Sequence, residues 1–319
     1  MLCEHAHSNN SRLRLNAVWA LKHLVHSAQY ELKVECLQEL GAGWLKNIIC
    51  NDSEDSLSMG YHGSGPGTPV RMETANAAGE QVDLLNAIDH DDDDEVNMID
   101  SIGALSKSDT RRTLDRSSFA KLHEDEAELA AQAKKDEVAV QEQALDFLRN
   151  LICGPEAAQM VDVLLRELGQ DKVFDMLANL LRPKTIDTFT RDRRSGSHGL
   201  ATKRQPQTEI VIAVCFILVN LDAGLPKHRQ LLISQKELLR LLVPLFNHQH
   251  PEVRVCCVWV VINLTWHEAP EDKMQCRARA KELRDLGVLK KLEELENDME
   301  LDVRERTKTA LHQMADLIR

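Results

Sequence analysis

The sequence is poor in aromatic residues, has no excess of positive charge and contains no long apolar run. Aromatic side chains make up 4% of the 319 residues, whereas hydrophobic residues as a whole make up 43%. This balance favours helices over a β-sandwich. The 51 acidic residues outnumber the 39 Lys and Arg residues, which argues against a nucleic-acid-binding surface because that surface needs clustered positive charge. The longest apolar run, Ile210 to Leu221, is interrupted only by Asn220. It is too short for a membrane span and predicts a buried helix.

The motifs of common catalytic and metal sites are also missing. The sequence contains no phosphate-binding loop, nucleophile elbow, zinc-protease helix or dinucleotide fingerprint. The acidic run from Asp89 to Glu95 lacks the glycine and glutamate positions of a calcium loop, and His248 and His250 have no further ligand at a suitable spacing. We therefore expect no enzymatic activity, cofactor, metal ion or small-molecule substrate. Eight cysteines without a C-x-x-C pair predict reduced, mostly buried thiols in a cytoplasmic or nuclear protein.

Negative charge is concentrated in one part of the chain. Residues 51–137 contain 21 acidic and 8 basic residues, so the remainder is nearly neutral. Low hydrophobicity and clustered acid cannot offset the entropy of ordering, and we predict a disordered acidic insertion at 51–130. A second interruption at 183–207 predicts a flexible loop. Its arginines and lysines also fit a nuclear import signal or a basophilic kinase site, and both alternatives stay open.

A repeated register connects the remaining segments. A small or apolar residue is followed four positions later by an apolar residue and six positions later by a polar residue, often Asn. The undisturbed copies at Val214 and Cys257 are 43 residues apart, within the ~40–47 residues of armadillo and HEAT units. Two other spacings between successive copies of the register are much longer than 43 residues. Each exceeds 43 by about the length of one of the two interruptions, which places both interruptions before a third helix. The polar positions are His23, Asn150, Asn220, Asn263 and, in a degenerate copy, Gln313.

These patterns predict an all-α protein, an armadillo-type α-α superhelix in which three-helix units stack as a right-handed solenoid with long disordered insertions. Such units cannot bury their apolar faces alone and must pack against neighbours. We expect armadillo repeats at 1–50, where they are incomplete, at 131–182 and at 208–319. In this prediction residues 11–28 form a third helix without the first two helices of its unit. The last helix should present Arg304 and Arg306 on an exposed, polar capping side.

Four sequence segments carry a resemblance to a known family. They are LRLNAVWALKHLVHSA, QALDFLRNLICG, VRVCCVWVVINLTWHE and RARAKELRDLGVLKKLEEL. The chain resembles the armadillo-repeat scaffold subunit of the GID/CTLH E3 ubiquitin ligases, the vacuolar import and degradation armadillo family. The resemblance covers roughly 11–50, 137–182 and 208–319. It implies the C-terminal section of a longer scaffold, and the acidic insertion indicates a fungal member.

The resemblance also implies a function. The chain would be a non-catalytic scaffold that holds a substrate receptor against a core of LisH/CTLH subunits, for proteasome- or vacuole-directed degradation. Its expected partners are these protein subunits, not nucleic acid, membrane or a small molecule. Its expected locations are the cytoplasm and the nucleus.

In an armadillo stack the third helices line a concave groove, where asparagine amides pair with a peptide backbone and aromatic faces pack on its side chains. The same residues also fit ordinary packing, and Trp266 in particular fits a half-buried packing position. Both interpretations stay open. The candidate partner-binding residues are Trp19, His23, Asn150, Phe216, Asn220, Trp259, Asn263 and Trp266.

A second function class is an importin-like transport adaptor that binds basic signal peptides. That function needs a repeated ladder of Trp and Asn, whereas only Trp259 and Asn263 form a complete pair here. It also needs a basic N-terminal arm, which residues 1–12 do not provide. The sequence therefore favours the ligase scaffold over the transport adaptor.

Overall fold

A computed structural model of the chain describes residues 1–50, 74–75, 81–82, 108–187, 201–267 and 269–318. Most of these residues are helical. The helices are α1 (Leu2–Ala6), α2 (Ser11–His26), α3 (Tyr30–Leu40), α4 (Ala42–Cys50), α5 (Ser108–Leu151), α6 (Ala157–Leu168), α7 (Gln170–Leu181), α8 (Thr208–Asp222), α9 (Pro226–Ser234), α10 (Lys236–Leu242), α11 (Pro251–Leu264), α12 (Lys273–Asp285), α13 (Val288–Leu295) and α14 (Leu301–Ile318). The strands are β1 (Thr74–Ala75), β2 (Gln81–Val82), β3 (Lys184–Asp187) and β4 (Ala201–Arg204).

The helices follow one another in three-helix units, and the predicted all-α, armadillo-type fold is confirmed. The first helices are α3, α6, α9 and α12, and the second helices are α4, α7, α10 and α13. The third helices are α2, α5, α8, α11 and α14. Helix α11 packs against α8 on one side and α14 on the other, so neighbouring third helices stack directly. Both interruptions of the chain fall between a second and a third helix.

Local sequence signals set several helix ends. Pro226 and Pro251 are the first residues of α9 and α11, where the missing N–H has no helical partner to lose. The side chain of Asn10 accepts a 3.0 Å hydrogen bond from the Leu13 N–H and caps α2. Gly169 separates α6 from α7 with φ of 85°, a conformation that an L side chain rarely adopts.

The core lies along the third helices. Apolar residues of α8 and α11 such as Val214, Leu218 and Val261 are buried, and the burial of Val214 and Leu218 confirms the buried helix predicted for the apolar run that ends at Leu221. Five of the cysteines are buried, and burial raises the pKa of Cys36 to about 11, which keeps that thiol protonated. Cys50 is exposed and is an exception to the mostly buried thiols that the sequence predicts.

Three segments differ from the sequence-based expectation. Helix α5 begins at Ser108, inside the predicted insertion, whose other residues lie mostly outside the described part of the chain. The ends of the predicted 183–207 loop pair as an antiparallel ribbon, with Lys184 opposite Arg204, and the loop's tip at 188–200 is outside the described residues. A short helix, α1, precedes α2 and packs against it and α3, so the first unit has more than its third helix.

Candidate partner-binding surface

In three of the third helices, α5, α8 and α11, the asparagine near the end contacts the third helix that precedes it. In each case the amide Nδ2 donates to a backbone carbonyl, and that carbonyl belongs to the residue just before the equivalent polar position. This asparagine ladder joins α2 to α5, α5 to α8 and α8 to α11. Its donor and acceptor pairs are Asn150 with Lys22 (3.0 Å), Asn220 with Arg149 (3.1 Å) and Asn263 with Val219 (3.1 Å).

The asparagine ladder leaves one polar atom on each amide. The Oδ1 atoms of Asn150, Asn220 and Asn263 accept no hydrogen bond from any residue that the structure describes, and all three side chains are partly buried. An amide oxygen held in a fixed orientation is suited to accept a backbone N–H. The ladder therefore has a packing role within the stack and an acceptor row that a partner backbone can use.

Two aromatic residues beside the ladder are covered by arginines of this chain. The guanidinium carbon of Arg149 on α5 lies 3.7 Å from the ring centroid of Phe216 on α8. The guanidinium carbon of Arg306 on α14 lies 5.0 Å from the ring centroid of Trp259 on α11. Both distances are typical of a cation–π interaction. Arg306, expected on an outward capping side, instead packs against Trp259, and this expectation is wrong.

One positional rule explains the contact with Phe216. The ladder position is the position of the polar residue near the end of a third helix. The residue directly before the ladder position on one third helix contacts a residue on the next third helix, and that second residue stands four positions before its own ladder position. In the preceding pair of helices the rule brings together Lys22 and Asp146, whose side chains form a 3.2 Å salt bridge. Arg149 and Phe216 stand at the same two positions. We call the strip formed by the asparagine ladder with Trp19, Asp146, Phe216 and Trp259 the third-helix surface.

The two ends of the candidate set are exposed. Trp19 is 54% exposed and packs edge-on against His23, with ring centroids 4.5 Å apart. Trp266 is 49% exposed and follows the end of α11, which fits the half-buried position that the sequence left open. Exposed tryptophans are common anchors in protein interfaces, whereas Phe216 and Trp259 are partly buried against the core.

Carboxylates border the third-helix surface. Partial burial raises the pKa of Glu142, the nearby charges of Glu209 and Asp146 raise it further, and Lys22 lowers it. Glu142 stands seven residues before Arg149 on α5, and Glu209 stands seven residues before Phe216 on α8. Seven residues correspond to about 10 Å along the helix axis. We call Glu142 and Glu209 the acidic edge. This edge is therefore displaced along the helices from the asparagine ladder.

A buried polar network lies beneath Asn263. Its Nδ2 also donates to Oδ1 of Asp222 at 2.8 Å, and Asp222 is fully buried. Burial raises the pKa of Asp222 well above its usual range, against the opposing effects of the Asn263 hydrogen bond and the Arg229 charge. Arg279 is also buried and donates to the Leu264 carbonyl at 2.7 Å and to Asp272. These groups fix the end of α11, which carries Asn263 and leads to Trp266.

Sequence reasoning found the row of asparagines and aromatics but missed the charged residues that contact it. Arg149, Arg306 and Asp222 were not among the candidates. Asp222 had a usable signal, because it directly follows the longest apolar run of the chain and so enters the core with the helix. Arg149 and Arg306 had no such signal, since their aromatic partners lie on different helices.

Within the described residues, no group of three or more His, Cys, Asp and Glu side chains is arranged to hold a metal ion. Across the same part of the chain, no helix is long and apolar enough to cross a membrane.

Comparison with known families adds to this geometry. Residues 133–277 match the family described as the VID28/GID5 C-terminal domain. The predicted resemblance to the GID/CTLH armadillo subunit is confirmed. Armadillo repeat-containing protein 8 of Mus musculus is 27% identical over 118 residues, which are 37% of this chain and 16% of that protein. The present chain thus matches only a small part of that relative's length.

Similar solved structures include designed armadillo repeat proteins. The designed armadillo repeat protein YIII(Dq.V1)4CPAF in complex with peptide (KR)4 has a TM-score of 0.51 and 15% identity, covering 98% of this chain and 80% of that chain. This likeness shows the fold alone. Computationally designed armadillo repeat proteins for modular peptide recognition have a TM-score of 0.44 and 13% identity, covering 98% of each chain.

The VID28/GID5-like segment contains most of the candidate surface. Asn150, Asn220 and Asn263 all lie within residues 133–277, as do Phe216, Trp259 and Trp266. Trp19 and His23 lie before the matched segment. The eight partner-binding residues stay a prediction.

Proposed function

We propose that this chain is a non-catalytic scaffold subunit of a GID/CTLH-like E3 ubiquitin ligase. The observation that carries the proposal is the match of residues 133–277 to the VID28/GID5 C-terminal domain, together with the asparagine ladder in the same segment. In this role the third-helix surface holds a substrate-receptor subunit, and LisH/CTLH subunits form the core to which the receptor is brought.

The geometry of the surface supports a holding function. Three fixed amide oxygens in a row provide acceptors for the backbone of an extended segment, a mode of recognition that does not require the partner to be folded. The exposed Trp19 and Trp266 add apolar contact area. The scaffold would serve proteasome- or vacuole-directed degradation, in the cytoplasm and the nucleus.

The alternative of an importin-like adaptor receives less support. Binding of basic signal peptides relies on aromatic faces that are open to the cationic side chains of the peptide. At Phe216 and Trp259 the chain's own Arg149 and Arg306 already lie over the rings. A basic peptide would have to displace these arginines, at a cost in binding free energy.

Affinity purification from the native organism, followed by mass spectrometry, tests the proposal. We expect RING and CTLH-type subunits in near-equal amounts with the tagged chain. A variant with Trp19 and Trp266 both replaced by Ala should lose the receptor but keep its fold. Recovery of importin-β-like carriers with basic cargo would support the adaptor instead. Recovery of neither class would contradict the ligase assignment.

A further inference from the structure

We propose that the third-helix surface binds an extended partner segment through an acidic side chain that pairs with Arg149. The inference rests on the proposed holding function and adds the chemistry of the segment that is held. It concerns a partner carrying one carboxylate at a defined position among neutral residues, not a strongly acidic or basic tail.

Arg149 is a cation without a counter-charge among the described residues. Its guanidinium lies over Phe216 and forms no hydrogen bond or ion pair within that part of the chain. The side chain is only partly buried, so its N–H groups remain accessible. Lys22, at the equivalent position of the preceding third helix, is neutralised by Asp146 at 3.2 Å. The surface therefore has an unpaired cation at one of two equivalent positions.

The contact with Phe216 prepares this cation for binding. A guanidinium stacked on a ring loses little further side-chain entropy when it pairs, and its planar donors fit the two oxygens of a carboxylate. The backbone carbonyl of Arg149 is an acceptor in the asparagine ladder, and its neighbour Asn150 offers a free amide oxygen. A segment whose backbone contacts the ladder thus places its side chains next to Arg149.

The acidic edge limits where the partner's carboxylate can lie. Glu142 and Glu209 have no hydrogen-bonding partner in the described residues, and their mutual repulsion contributes to the raised pKa of Glu142. A second carboxylate shifted toward this edge, about 10 Å from Arg149 along the helix axes, would be repelled. The charges therefore select one acidic residue at one position, and they disfavour the consecutive acids of a polyanionic tail.

The alternative occupant within this chain is the acidic run from Asp89 to Glu95. Its consecutive carboxylates fit the acidic edge poorly, and for this reason we assign the surface to a partner segment. The experiment below separates the two occupants.

Selection from a phage-displayed library of random ten-residue peptides on the full-length chain tests the inference. We expect the enriched peptides to share one Asp or Glu in a fixed position among apolar and neutral residues. The same selection on R149Q should lose that acid, whereas selection on K22Q should retain it. Enrichment of Lys or Arg, acids that persist with R149Q, or no enrichment on the wild-type chain would overturn the inference.

A double-mutant cycle then measures the pair directly. The probe is the most enriched peptide, labelled with fluorescein, and a version with its acid replaced by the matching amide. R149Q and the amide peptide should each weaken binding by about tenfold, as for a charge-assisted hydrogen bond, and together by little more than either alone. Additive losses would show that the acid binds elsewhere. Circular dichroism melting of R149Q checks that the fold is intact.

Different measurements test whether the acidic run occupies the surface and whether the proposed scaffold function is correct. If the labelled peptide binds only after Asp91–Asp94 are replaced by Asn, the acidic run occupies the surface and the inference is overturned. If the chain recovers ligase subunits but selects basic peptides, the inference fails and the scaffold function stands. If it selects the single acid but recovers no ligase subunits, the scaffold function fails and the acidic preference stands.

Discussion

The side-chain amide of Asn263 donates one hydrogen bond to the carbonyl of Val219 and another, of 2.8 Å, to the fully buried carboxyl of Asp222. Both N–H groups of the amide are therefore used inside the protein, and its orientation is fixed. Asn150 and Asn220 have the first bond but no equivalent of Asp222. Asn263 thus combines a position on the third-helix surface with a role in the core.

We expect N263A to destabilise the protein more than N150A. Loss of the amide leaves the carbonyl of Val219 with the Ala223 N–H as its remaining donor and removes the donor to the buried carboxyl of Asp222, which together should cost about 2–4 kcal/mol. N150A loses one hydrogen bond and should cost about 1 kcal/mol. Urea denaturation of both variants measures the difference, and equal losses would show that the bond to Asp222 contributes nothing.

We expect D222N to be more stable, relative to the wild type, at high pH than at low pH. A carboxyl whose folded-state pKa is raised contributes stability below its unfolded pKa of about 3.9 and loses it as the pH rises through the folded value. An Asn at 222 keeps an acceptor for Asn263 without this dependence. Melting temperatures of both proteins between pH 5 and 9 check the prediction. A constant difference over that range would contradict it.

Acid should destabilise the protein partly through Asp298. Partial burial raises the pKa of this carboxyl, but hydrogen bonds from Arg254 and from the Glu300 N–H outweigh burial and lower it. The two Arg254 bonds are both 2.8 Å. A lowered pKa gives stability that is present above the unfolded pKa of about 3.9 and is lost as the pH falls through the folded value. D298N should remove part of the pH dependence of unfolding below pH 4.

The matched control for that experiment is D162N. Burial raises the pKa of Asp162, and hydrogen bonds from His228 and Lys227 lower it below its usual range. The side chain of Asp162 is 45% exposed, whereas that of Asp298 is 8% exposed, so solvent screening reduces the contribution of Asp162 more. We expect D162N to change the acid dependence less than D298N does, and the reverse order would contradict the role of burial.

Replacing Lys33 should loosen the end of α5. The Lys33 ammonium is buried and donates to the carbonyls of Asn150 at 3.2 Å and Cys153 at 2.6 Å. Both carbonyls lie at the C-terminal end of α5, where the Asn150 oxygen otherwise accepts only from Cys153 within the described residues, and a cation is favourable at a helix C-terminus. K33A should therefore cost about 2 kcal/mol. K33R, which keeps the charge, should cost less. Hydrogen exchange of residues 146–152 would show whether the loss is local.

Replacing each tryptophan by alanine should distinguish a side chain that contacts a partner from one that packs in the core. W19A removes a mostly exposed ring and should change the free energy of unfolding by less than about 0.5 kcal/mol, while weakening capture of a partner. W259A removes a partly buried ring that also carries Arg306 and should cost about 2–3 kcal/mol. Thermal melting and a co-purification assay measure the two effects. A stability loss for W19A equal to that of W259A would favour packing at both positions.

The repeat and its ladder were predictable because they depend on spacing within each helix. The register of Val214, Leu218 and Asn220, repeated at Cys257, Val261 and Asn263, fixes which side of each third helix is buried. It also fixes that the asparagines form a row. Sequence reasoning did not predict that the row is hydrogen-bonded to the preceding helix, because the acceptor is a backbone carbonyl that every residue has.

The sequence by itself determined the all-α class, the three-helix unit and the positions of the two interruptions, since helical periodicity and repeat length are local properties of the chain. Only the tertiary structure decided which charges meet. Arg149 covers Phe216 and Lys22 pairs with Asp146, although the two pairs stand at equivalent positions. Such contacts depend on the stacking of helices that are distant in the sequence, and the balance of charge on the third-helix surface follows from that stacking.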